Sequence, residues 1–262
     1  MFRESAGGTS MRPETILGSV PAASVHNGNG RAKVVLVCEH ASNHIPAQLD
    51  NLGLPEFELS RHIAWDPGAF AVAKRLSDLL DAPLVYANVS RLVLDINRQP
   101  GHRGSIVEVS ELTGIPGNKD LSSLEREARA RAIYEPFHDA LRSTIERRRK
   151  AAPWVISIHS YTPVYKGVPR PWHAGILHNE DRQLSTTMLK MLRENPDLNV
   201  GDNEPYAPID GVYHTIERHT KPFGYQGAMI EIRNDLIADA TGEHEWAERF
   251  YQILTRMLAV EA

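Results

Sequence analysis

Three short apolar runs, far apart in the chain, each lead into a side chain that can bind a metal or move a proton. Trp154-Val155-Ile156-Ser157-Ile158 leads to His159, Lys33-Val34-Val35-Leu36-Val37-Cys38 to Glu39-His40, and Gly227-Ala228-Met229-Ile230 to Glu231. Aromatic and β-branched runs of this length read as buried strands of an α/β sheet. Ligands and catalytic groups in such sheets gather at the carboxyl ends of the strands. The pattern therefore predicts one pocket, assembled at one end of one sheet from distant parts of the sequence, with His159 as the last residue of its strand.

The rest of the chain fits that frame. Asp66-Pro67-Gly68 reads as a helix start, with Asp66 as the cap and Pro67 at the first helical position. Phe70, Val72, Ala73, Leu76, Leu79 and Leu80 then follow at helical spacing. Residues 83–88 and 91–96 read as further strands, and 101–120 as a long loop. Residues 121–150 read as an amphipathic helix bent at Pro136, with His138 packed on its apolar face. Strand 174–178, helix 181–193, strand 229–233 and helix 243–258 complete an alternation of strands and helices, which is the α/β signature. Residues 1–31 are rich in Gly, Ser, Ala, Pro and Asn and read as a flexible N-terminal arm, mobile or loosely docked. Residues 32–262 read as a single domain.

Composition removes several classes of function. A net charge of −4 leaves no electrostatic footprint for nucleic acid. No apolar run approaches the roughly 20 residues that span a bilayer. A single cysteine, Cys38, excludes an intramolecular disulfide framework and fits a reducing compartment, so the expected location is the cytoplasm. Cys38 lies inside a predicted strand and reads as a small buried hydrophobe.

Two histidines and a glutamate at strand ends suit a hydrolytic zinc site. Such sites take three protein ligands from His and Asp/Glu and leave a fourth position open, and a nearby glutamate outside the ligand set works as general base and proton donor. His40 and His159 supply two nitrogens and Glu231 suits the base. The third ligand stays open among Glu39, Asp66, Asn43 and His44. Arg91, Asn97 and Arg98 bracket the 91–96 run as a candidate carboxylate receptor, because the arginine fork matches a carboxylate.

These residues carry a family resemblance. Ser157-Ile158-His159-Ser160-Tyr161 resembles the strand-end motif of zinc carboxypeptidases, and Glu231-Ile232-Arg233 resembles their catalytic-glutamate motif. Asp95-Ile96-Asn97-Arg98 is similar to the Asn-Arg pair with which carboxypeptidases and aspartoacylases hold a substrate carboxylate. Over about residues 33–258 the chain resembles the N-formylglutamate amidohydrolase family. The likeness lies in residues 38–46, Ala64-Trp65-Asp66-Pro67-Gly68-Ala69, residues 90–98 and the two motifs above.

The resemblance implies a three-layer α/β/α fold with a mixed central sheet, phosphorylase/hydrolase-like. It also implies one zinc ion per chain and a small N-acyl amino acid, such as N-formyl-glutamate, as substrate. In that picture Glu231 shuttles the proton, Arg98 with Asn97 or Arg91 holds a carboxylate, and Arg233 is an oxyanion or carboxylate ligand. Two departures stand out. Asn43 occupies the place of the carboxypeptidase glutamate ligand, which favours Asp66 as the third ligand, with Glu39 next. Glu39-His40-Ala41-Ser42 replaces the Pro-His-Ser-Gly of the histidine-degradation enzymes, so the substrate is expected to differ within the class. Two alternatives remain: a zinc carboxypeptidase-like peptidase, and a non-catalytic dicarboxylate-binding protein built on Arg91, Arg98 and Arg233.

Overall fold

The computed structural model describes residues 16–179 and 182–261. Alternation along the central strands organises it. Strands β1 (Ala23–His26), β2 (Val34–Cys38), β3 (Leu84–Ala87), β6 (Trp154–Tyr161), β9 (Ala174–Leu177), β10 (Val200–Asp202) and β11 (Gly227–Arg233) form one sheet in the order β1-β3-β2-β6-β11-β9-β10. Two small hairpins stand apart from it, β4 (Val109–Ser110) with β5 (Thr113–Gly114) and β7 (Val164–Tyr165) with β8 (Val168–Pro169). The sheet is mixed: β3, β2, β6 and β11 run parallel, while β1 and β9 pair antiparallel with β3 and β11.

Both faces of the sheet are covered, which is why its central strands are apolar throughout. Val34, Leu36, Cys38, Ile156, Ile158, Ala228 and Ile230 enter one core, shared with helices Ala69–Leu80, Gln183–Leu192 and Ala240–Glu261. Val35, Val37, Val155 and Met229 enter the other, shared with the segment Ser123–Glu146 and helix His214–Thr220. The architecture is the expected three-layer α/β/α arrangement. No helix among the described residues is long and apolar enough to cross a membrane.

Three local expectations are corrected, over residues 91–96, at Pro136 and at His159. Of the stretch expected as an arm, residues 16–31 are docked: Ala23–His26 pairs with β3, Ile16 is buried, and the Asn88 side-chain amide donates to Pro21 O at 3.0 Å. The outer edge of β3 carries a row of backbone groups that need partners, and the arm supplies them. Residues 1–15 lie outside the described residues. Residues 91–96 are turns, not a strand. Ser90 Oγ accepts from Leu92 N–H and donates to Ala64 O, and Asp95 N–H donates to Ser105 O. Burial under loops, rather than sheet pairing, explains their apolar character. Where a bend is expected at Pro136, the helix instead takes a π-helical turn over Ala130–Tyr134, just ahead of the proline, and π-turns are themselves sites of helix kinks. His159 is not the last residue of its strand, because β6 continues to Tyr161.

The fold also sets the conformation of the Asp66 turn. The helix starts at Ala69 behind Gly68, whose φ is +79°, and Asp66 makes no side-chain cap. A Cβ on Gly68 would meet the Ile237 carbonyl oxygen at 2.2 Å. Gly68→Ala therefore combines left-handed strain with a backbone clash and is expected to cost about 2 kcal/mol or more. Denaturant unfolding checks this, and an unchanged midpoint would contradict it.

Candidate active site

Parallel register delivers the site residues to one level. Glu231 lies beside His159 across the β11–β6 pair, and Ser157 lies beside Val37 across β6–β2. Because side chains alternate along a strand, three columns climb the same face: Val35-Val37-Glu39, Val155-Ser157-His159 and Met229-Glu231. Each begins apolar in the core and ends polar at the carboxyl edge.

His40 and Asp66 complete the cluster from the turns that follow. The Asp66 N–H donates to the His40 carbonyl at 3.0 Å, which holds the two turns together. Asp66 Oδ2 lies 2.7 Å from His159 Nδ1 and 3.2 Å from His40 Nδ1, and the two imidazole nitrogens are 3.1 Å apart. All three residues are buried.

Each imidazole is backed by a carboxylate. His40 Nε2 donates to Asp95 Oδ1 at 2.8 Å, so its Nδ1 lone pair is turned to the cluster. His159 Nε2 lies 3.1 Å from Glu39 Oε2, which also accepts from Ser157 Oγ at 2.5 Å. Arg91 reaches Asp66 Oδ1 at 3.2 Å and Asp95 Oδ2 at 2.8 Å. Carboxylates behind histidines fix the ring orientation and raise ligand basicity at metal centres.

The donor set fits a small divalent cation. His40, Asp66 and His159 could hold a metal ion. A tetrahedral ion with bonds of about 2.0–2.1 Å separates its donors by roughly 3.3 Å; the 3.2 and 3.1 Å separations are close to this, and the 2.7 Å Asp66–His159 contact would have to open.

The electrostatics agree. Burial raises Glu39, but His159 and Ser157 outweigh it and hold the carboxyl down at about 2. Burial likewise opposes ionisation of Asp66 and Asp95, but His40 above all holds both well below the usual carboxylate range. Burial disfavours charge on His159, yet Glu39 and Asp66 keep its imidazolium well above the ordinary value. Glu231 is the exception: burial pushes it up to about 7, with His159 opposing and Asp66 adding to the rise. Its Oε2 is buried without a hydrogen-bond partner among the described residues.

Glu231, the metal-competent triad, Arg98, Tyr165 and Tyr206 line a cavity of about 200 Å³. A family model for N-formylglutamate amidohydrolase matches residues 32–238. The chain belongs to the N-formylglutamate amidohydrolase family. A gene product of Agrobacterium tumefaciens with a crystal structure is 44% identical, over 93% of this chain and 97% of that one, with a TM-score of 0.89. N-formylglutamate amidohydrolase from Ralstonia eutropha is 16% identical over 91% of this chain and 97% of its own, with a TM-score of 0.63, a likeness of fold. No curated protein matches the chain.

Among the residues that the sequence singles out in this family member, the structure makes clear distinctions. Asp66 joins the two histidines and Glu39 stands behind His159. Asn43 donates to Leu59 O at 2.9 Å, and His44 is exposed. Arg91 is committed to Asp66 and Asp95. Asn97 donates to Val212 O and accepts from Thr215 N–H at 2.9 Å, pinning the 212–215 segment over the site. Arg233 pairs with Asp235 at 2.8 Å and does not line the cavity. Arg98 lines the cavity, and its Nη1 donates to Asn97 O at 3.0 Å. It is the one arginine of the three without a carboxylate partner among the described residues. Sequence patterns do not mark Tyr165 or Tyr206, and the one visible signal for Asp95 is its place in Asp95-Ile96-Asn97-Arg98.

A second histidine pair braces this region. His138 Nε2 donates to Ile96 O at 3.1 Å, so its Nδ1 accepts from His219 Nε2 at 2.9 Å. Burial above all lowers the two, to about 3 and about 4, so both are neutral in the fold. Unfolding lets them take up protons below the ordinary histidine value of about 6.5. Stability is then fully present above that pH and is lost as pH falls, by about 1.4 kcal/mol per unit for each ring. Denaturation midpoints of metal-free protein should fall between pH 6.5 and 5, and His219→Gln should flatten that slope; an equally steep variant would contradict the assignment. Asp95→Ala, which strips His40 of its backing, should weaken zinc binding about 10–100-fold in a chelator competition, and unchanged affinity would argue against the arrangement.

Proposed function

We propose that this protein is a zinc-dependent amidohydrolase that cleaves the amide of a small N-acyl amino acid to a carboxylic acid, formate for a formyl group, and the free amino acid. The observation that carries the reading is Glu231: a buried carboxylate with an unpartnered oxygen, in the same cavity as the His40–Asp66–His159 group. Family membership supports the reaction class. Two of the three arginines that a dicarboxylate receptor would use, Arg91 and Arg233, are committed to the protein's own carboxylates, so hydrolysis is favoured over simple capture.

In this reading His40, Asp66 and His159 hold the metal, and Asp95, Glu39 and Arg91 hold the ligands. The cation, when bound, polarises the substrate carbonyl and makes a water acidic near neutral pH. Glu231 accepts a proton from the attacking water and returns it to the amide nitrogen as the carbon–nitrogen bond breaks. Arg98, whose Nη1 also donates to Asn97 O, receives the substrate carboxylate through its remaining guanidinium donors. Tyr165 and Tyr206 wall the pocket and limit the access of bulk water.

Glu231→Gln keeps the size of the side chain and removes its basicity. It should lower kcat about 10²–10⁴-fold on N-formyl amino acids while metal analysis still finds the wild-type zinc content. Activity within twofold of wild type would overturn the role of Glu231.

A further inference from the structure

The cavity has a neighbour. A second space of about 200 Å³ adjoins the first, and the two share Arg91, Arg98, Tyr165 and Tyr206 as walls. Its far side is formed by Ile63, Leu92, Val107, His62, Ser110 and Glu111. A formylated small amino acid would leave this second chamber unused.

The charges on its walls decide what can enter. Arg91 is neutralised by Asp66 and Asp95. Glu111 is paired with Arg61 at 2.6 Å and lies 3.5 Å from His62 Nε2, an atom with no hydrogen-bond partner among the described residues. Arg98 acts on Asp95 only from beyond salt-bridge distance, so among the described residues that line the two chambers it is the one cation with no carboxylate in direct contact, and it is a wall of both. One substrate carboxylate satisfies it. A second carboxylate, carried on a side chain past Arg98, would meet Glu111 and Asp95 and no free cation, and desolvating it there is costly. The remaining surface, two tyrosine rings with aliphatic side chains and a few hydrogen-bonding tips, suits a large uncharged group.

We infer that the preferred substrate is an N-acyl derivative of a large neutral amino acid, aromatic by preference. Its carboxylate sits on Arg98 and its side chain extends into the second chamber. This rests on the amidohydrolase reading and sets the chain apart from an enzyme selective for glutamate.

The test is a substrate series on the zinc-loaded protein: N-formyl derivatives of alanine, glutamate, leucine, phenylalanine and tyrosine. Formyl-phenylalanine and formyl-tyrosine should exceed both formyl-alanine and formyl-glutamate in kcat/KM by tenfold or more. Ser110→Phe, which fills the second chamber, should bring the tyrosine-to-alanine ratio towards one. Glu111→Gln, which removes the wall's anion, should raise glutamate relative to tyrosine several-fold. A preference for glutamate, or ratios that neither variant changes, would overturn the inference. Calorimetric titration with free tyrosine and free glutamate gives a readout independent of turnover. Were no member of the series hydrolysed, the amidohydrolase reading would fall, while tighter binding of tyrosine than glutamate would still support the chamber assignment and the reverse would refute it.

Discussion

The carboxylate of Asp66 is the contact on which the site depends. One oxygen meets both imidazoles and the other meets Arg91, so a single side chain joins the ends of three structural segments. Around it, Glu39, Asp66 and Asp95 are all held ionised out of water, with one part-buried guanidinium, Arg91, among them. Burying that much negative charge is expensive unless it is matched. Glu39 and Asp66 favour the charged form of His159, and a divalent cation held by His40, Asp66 and His159 would supply positive charge at the same place.

The sheet makes such a cluster possible. Its strands are largely apolar on both faces because helices cover both, and Ser157, bonded to Glu39, is the first polar side chain below the site on the central strand. Polar residues enter at that level on one face, where register sets Glu231 beside His159. The scaffold beneath is rigid, while the pocket walls come from connections: the turn holding Asp66, the 91–98 turns, the hairpin with Tyr165 and the segment with Tyr206. His159 and Glu231 are thus held on strands, while His40, Asp66 and the remaining pocket walls come from connections, where variation costs less stability.

Much of this was legible in the chain. Aromatic and β-branched runs identified the central strands, and the polar residues at their ends identified His40, His159 and Glu231, since both signals are local. Asp66 looked like a helix cap because Asp-Pro-Gly satisfies the local rules for one; its carboxylate turns into the cluster because Gly68 takes the left-handed conformation and starts the helix later. The run from Arg91 to Ile96 looked like a strand because burial under a loop and burial in a sheet select the same residues. The contrast between Arg91, Arg98 and Arg233 was not legible at all. An arginine's availability depends on which carboxylates lie within about 4 Å of it, and those partners come from remote positions or from turns whose shape no spacing rule specifies.

Anomalous diffraction from a crystal soaked in zinc would locate the ion. One strong peak is expected among His40 Nδ1, His159 Nδ1 and Asp66 Oδ2, at about 2.0–2.2 Å from each, with Glu231 outside the ligand set. No peak there, or an ion ligated elsewhere while these three side chains keep contacts to one another, would contradict that arrangement.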